Sequence, residues 1–325
     1  MRSIATVLLM AATAGVAYAQ IPADDAVRIG EFQRLAAQIE DGIWPNWSHV
    51  PEPVLLVTKN GEFLKDFPNP PKDFHPAGDG FWTRPTQLPM NFQATMPLFG
   101  PPAVIVIGEP ANTQSRTSTP WEIVMMHEHF HQLQDAQPGY FAAVAALGLS
   151  GGDKNGMWML NYPFPYSRPD VVKSFGELRD QLLRTVEEPD AKRFRQEAAK
   201  YAAMRKQFFA QLSANDDKYL SFELWQEGIA RYTQIRAGEA AGEYQPTEQY
   251  KALPDYQSFS TYAPEMRAQT LEELGTIDIT KARREVVYSF GGTEGLLLDR
   301  LNPEWKSEYF IHLLSIDELF NVSTQ

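Results

Sequence analysis

Five consecutive residues, His127-Glu128-His129-Phe130-His131, contain the pattern His-Glu-x-x-His. On a helix this spacing sets two imidazoles one turn apart on one face, with a carboxylate beside them. Two neutral imidazoles can hold a zinc ion, while the carboxylate stays free to take a proton from a water that the metal acidifies. His127 and His131 are therefore candidate metal ligands and Glu128 a candidate general base. At about 100° per residue His129 falls on the other side of the helix and does not share their metal. A rival geometry exists: alternation at 127, 129 and 131 would place three histidines on one face of a strand, as in jelly-roll metal sites. The flanking Met125, Met126, Gln132, Leu133 and Gln134 favour the helix.

Such chemistry needs a helix with defined ends and a third donor. Thr119 reads as the N-cap, Pro120 as the first helical residue and Glu122 as the partner that closes a capping box. No helix breaker follows until Pro138-Gly139. A second helix is expected over 222–232, where Phe222, Trp225, Ile229 and Tyr232 make a buried stripe. Glu223 and Glu227 share its opposite side, one turn apart. Glu227 would complete a three-donor zinc site, and Gly228 beside it lets two helices approach closely. Helical spacing alone does not separate this role from that of an ordinary surface glutamate.

Trp225-x-Glu227-Gly228-x-Ala230-x-Tyr232 resembles the third-ligand helix of gluzincin metallopeptidases, especially the aminopeptidase N family. Downstream, Tyr288-Ser289-Phe290-Gly291 is similar to the Tyr-x-x-Gly helix that carries that family's transition-state tyrosine. The resemblance covers residues 103–315. It implies a thermolysin-like zincin of α+β class, with Glu227 as the third zinc ligand, Tyr288 as oxyanion donor and a peptide or protein as substrate. Tyr262, two residues ahead of Pro264, is the rival donor. Departures are specific: the tryptophan sits one residue closer to the glutamate than in the aminopeptidases, and the gap between His131 and Glu227 is much longer. The Gly-x-Met-Glu-Asn motif is absent, and Arg231 stands where thermolysin-type enzymes carry an aspartate. Aminopeptidase specificity is thus not implied. A reading of another class stands beside the enzyme: a non-catalytic zincin-fold protein that keeps the metal for structure or partner binding. A fourth side chain, Glu223 or His129, would then close the site.

The rest of the chain supplies the frame. Residues 1–19 have the plan of a secretory signal: Arg2, an apolar run from Ile4 to Val16, and Ala17-Tyr18-Ala19 before Gln20. A periplasmic or secreted protein is expected, with no stable membrane insertion. The formal net charge of −12 argues against nucleic acid as a partner. The chain has no cysteine, so a metal must be held by nitrogen and oxygen. Residues 20–150 read as a mixed α/β lobe carrying the His-Glu-x-x-His helix, and 151–325 as a mainly helical lobe carrying Glu227. Within the first lobe, Asp24 to Ile39 has helical spacing, Val54 to Leu64 reads as a hairpin with an Asn-Gly turn, and Val104 to Gly108 as a buried strand. The proline- and glycine-rich stretch 67–102 is expected to be an ordered loop pinned by its aromatics, or a binding surface. Asp190 to Leu212 is expected to be one amphipathic helix, with Lys192, Arg193, Arg195, Lys200, Arg205 and Lys206 on its solvated face.

Overall fold

The computed structural model describes residues 19–320; apart from Ala19, the expected leader lies outside them. The class is α+β: a six-stranded mixed sheet in the N-terminal part, then a mostly helical C-terminal part. After helix α1 (Ala23–Ile43) come strands β1 (Val54–Thr58), β2 (Gly61–Lys65), β3 (His75–Gly78), β4 (Phe81–Arg84), β5 (Gln93–Met96) and β6 (Val104–Gly108). Their order across the sheet is β3-β4-β2-β1-β6-β5, with β1 and β6 parallel and every other pair antiparallel. Side-chain alternation sorts the two faces. Val54, Leu56, Ile105 and Ile107 join the main core under the helices. Leu55, Val57, Val104 and Val106 join a smaller cluster with Phe67 and Phe74 on the other face.

The expected loop 67–102 supplies three of the six strands. Of its short strands, β3 and β5 are the two edges and β4 lies one in from β3, and the prolines and glycines lie within or between segments too short to show a clear period.

The helices that follow are α2 (Ser118–Asp135), α3 (Tyr140–Ala146), α4 (Met157–Asn161), α5 (Pro169–Glu187), α6 (Ala191–Ala210) and α7 (Ala214–Glu223). A π-helical turn over Leu224–Gly228 leads directly into α8 (Ile229–Ala241). Then come α9 (Glu248–Lys251), α10 (Phe259–Thr276), α11 (Ile279–Ala282), α12 (Val286–Leu301) and α13 (Trp305–Tyr309). The π turn packs on α12 with backbone against backbone. A Cβ added at Gly291 would lie 2.4 Å from Gly228 Cα, closer than any side chain allows.

Two expectations are corrected. Helix α2 begins at Ser118 after Thr117, and Thr119 is already inside it, donating its hydroxyl to the Gln257 carbonyl. Glu122 therefore closes no capping box. It points into the core with neither carboxylate oxygen paired, and burial, with Glu31 adding and Arg28 opposing, pushes its carboxyl well above the ordinary range. In α6, Asp190 caps the N-terminus by accepting from the Arg193 amide. Arg205, however, is not on the solvated face. It is buried against Glu294 (2.6 Å) and Asp317 (2.5 Å), and its guanidinium lies over Phe209 and Phe320. Its counter-ions come from elements 89 and 112 residues downstream, which helical periodicity cannot register.

Candidate metal centre

Helix α2 is buried along nearly its whole length between the sheet, α1 and α8, so both of its faces meet protein. His127 and His131 share the face toward the π turn. Their Nε2 atoms stand 3.1 Å apart, and Glu227 Oε2 lies 3.5 Å from the first and 3.3 Å from the second. All three donor atoms fall within 4.8 Å of one another, so this buried group could hold a metal ion. The donor chemistry fits: two imidazole nitrogens and one carboxylate oxygen suit zinc. The strand alternative is excluded, since His129 points the other way.

Gln134 sets the tautomer of His131. Its Nε2 faces the carbonyls of Trp225 and Gln226, each at 3.1 Å, and the Tyr309 hydroxyl at 2.8 Å. That leaves Oε1 toward His131 Nδ1 at 2.7 Å, so Nδ1 donates to Gln134 and Nε2 is the atom turned toward the donor group. The same amide ties α2 to the π turn that carries Glu227. His127 Nδ1 has no such partner among the described residues.

The electrostatics ask for a cation between the three donors. Burial lowers the His131 imidazole, but the Glu227 charge and hydrogen bond outweigh it and lift the group to about 9. Burial keeps His127 below its ordinary value despite Glu227. Burial opposes ionisation of Glu227, yet His131, His127 and Arg284 together hold its carboxyl well below the usual range. A proton on His131 answers the carboxylate here, and a metal would compete for that place.

Arg284, which sequence reasoning missed, organises the second layer. It donates to Glu227 Oε1 at 2.8 Å and to the Tyr288 hydroxyl at 3.1 Å, and lies 2.8 Å from Glu223 Oε2 as an ion pair. Glu223 is thus committed to Arg284 and stands outside the donor group. The Tyr288 ring sits 6.2 Å from that of His127. Burial and then the Glu227 charge raise its phenol above the ordinary value, so it remains a donor. Because Arg284 donates to the phenol oxygen, the tyrosine's own proton is free to be given elsewhere. Tyr262 lies on α10 with its hydroxyl against Met266 Sδ, and that segment is helical despite Pro264. Glu128 is buried beside the donors. Thr95, on edge strand β5, donates its hydroxyl to the Glu128 carboxylate and to its backbone carbonyl, each at 2.9 Å.

Gln134 and Arg284 carry no motif signal. Each follows a ligand or donor residue by helical logic, since Gln134 lies three residues after His131 and Arg284 four before Tyr288. No described helix is long and apolar enough to cross a membrane. Comparison with protein-family models, with curated proteins and with solved structures gives no match for this chain.

Proposed function

We propose that this protein is an exported zinc metallopeptidase of zincin type, with His127, His131 and Glu227 as the metal ligands. The observation that carries this reading is the convergence of two imidazole Nε2 atoms and one carboxylate oxygen, with Glu128 and Tyr288 beside them. Zinc, when bound, polarises a carbonyl and acidifies a water. Glu128, steadied by Thr95, accepts the proton of that water and passes it to the leaving amine. Tyr288, held by Arg284, donates to the oxyanion of the substrate. Strand β5 ends the sheet, and among the described residues no strand pairs with its outer side. An extended peptide can add there by backbone hydrogen bonds, which places its amides beside Glu128.

The structural-metal alternative needs a fourth side chain. Glu223 is engaged by Arg284 and His129 lies on the far face of α2, so among the described residues the donor group has three members, the number that favours catalysis.

Metal analysis and peptide-library digestion test the reading. Wild type should carry about one zinc per chain. Glu128→Gln should keep zinc and fold while losing peptide hydrolysis by several orders of magnitude. Tyr288→Phe should lower kcat by roughly 10²–10³ with little change in KM. Full activity in zinc-loaded Glu128→Gln would remove the peptidase mechanism.

A further inference from the structure

A cavity of 530 Å³ is lined in part by Arg284, the residue that also donates to Glu227 of the metal centre. Its lining includes Arg168, Arg283 and Arg284, the aromatics Tyr162, Phe164 and Tyr166, and no acidic residue. The three arginines are not equally occupied. Arg284 is engaged by Glu223, Glu227 and Tyr288, and Arg168 by Asp170 and the Gln211 carbonyl. Arg283 is exposed and has no hydrogen bond or ion pair among the described residues. Its backbone is held at φ 51°, a region that non-glycine residues rarely adopt.

We propose that this cavity is a carboxylate-binding subsite for the peptide substrate, with Arg283 as the residue that recognises the charge and the aromatic walls taking the apolar body that carries it. The proposal rests on the peptidase reading. An arginine fork pairs a carboxylate through two parallel hydrogen bonds, and a site partly closed by aromatic walls strengthens them. Arg284 lines the cavity and also donates to Glu227 Oε1, so the cavity and the donor group share a residue. The carboxylate could be the chain's terminal one or that of a glutamate side chain.

Matched peptides separate these sources: free acid against C-terminal amide in one arm, internal Glu against Gln in the other. The readout is the ratio of kcat/KM within each pair, which does not depend on how much of a preparation is folded. Wild type should prefer the carboxylate member by about 10- to 100-fold in one arm. Arg283→Ala should bring that ratio to near one, and Arg283→Glu should invert it. Calorimetric titration of N-acetylphenylalanine and its amide into wild type and Arg283→Ala reads the same contrast without turnover. Peptides cleaved with a ratio near one, or with a ratio indifferent to Arg283, overturn the subsite and leave the peptidase reading intact. Acid bound through Arg283 by a protein that cleaves no peptide retains the carboxylate site and overturns the peptidase reading. Equal binding of acid and amide by both proteins, with no cleavage, overturns both.

Discussion

Helix α2 carries histidines on two faces, and their surroundings differ in kind. On the face toward the sheet and α1, His129 has both nitrogens answered: Nδ1 meets Gln132 Oε1 at 2.8 Å and Nε2 meets Glu40 Oε2 at 3.0 Å. Its ring stacks on Trp47, 4.9 Å between centroids. On the other face, His127 and His131 turn Nε2 atoms toward each other at 3.1 Å, where two like lone pairs repel unless a proton or a metal lies between. A core histidine is a closed polar account; a ligand pair is an open one. The difference is visible only in partners, since residue type, helix and burial are shared.

Substitution should separate the two faces most sharply in metal content. His127→Ala and His131→Ala should each abolish the stoichiometric zinc, measured by emission spectrometry on purified protein. His129→Ala should keep its zinc and instead lower the unfolding midpoint, because Glu40 is left buried without its partner. Zinc loss in His129→Ala at an unchanged midpoint would erase the distinction.

A smaller contrast lies in the two glutamines that serve these histidines. Gln134→Leu should weaken zinc by 10- to 100-fold, as loss of an outer-layer partner generally does. Gln132→Leu removes the Pro53 and Ala103 contacts and should cost stability alone. Competition with a zinc chelator distinguishes them, and equal affinities in both variants would remove Gln134 from the metal centre.

The smallest effect concerns Glu52, close to the His129 face. Burial, opposed by His129 and reinforced by Glu40 and Asp66, pushes its carboxyl from an ordinary 4.5 up to about 7. A carboxyl raised on folding prefers its proton in the native state, so it withdraws stability as pH climbs from about 4.5 to 7, and the full cost is present above. Glu52→Gln should therefore match wild type near pH 4 and exceed it at pH 8 by on the order of 1–3 kcal/mol. Urea unfolding at both pH values checks the sign; a gap that opens toward acid instead would place Glu52 in a stabilising ion pair.

Much of this was legible beforehand where a residue's role follows from its near neighbours. The placement of His127 and His131, the opposed His129, strand β6 and the stripe Phe222, Trp225, Ile229 and Tyr232 all rest on local period. What escaped depends on distant partners or on short segments. Arg205 looked solvated because Glu294 and Asp317 are remote in sequence. Strands β3 to β5 are four residues each, too short for alternation to stand out. The capping box failed because the helix starts earlier than Pro120 suggests, which turns Glu122 inward. Arg284 escaped because one of two adjacent arginines ahead of a helix has no signature until Glu223 and Glu227 are brought to it.

The π turn over Leu224–Gly228 has a consequence for how the chain can change length. A π turn holds one residue more than an α turn, and each residue is worth about 100° of rotation. Upstream, Glu223 is fixed to Arg284; downstream, Gly228 is fixed against Gly291 and Tyr232 to Asp299. Deleting Gln226 would restore a regular helix and set these two anchorages about a quarter-turn out of phase. One would have to release, and Glu227 would leave the histidines with it. Substitution of the half-buried Gln226 is therefore far easier to accommodate than the loss of its codon.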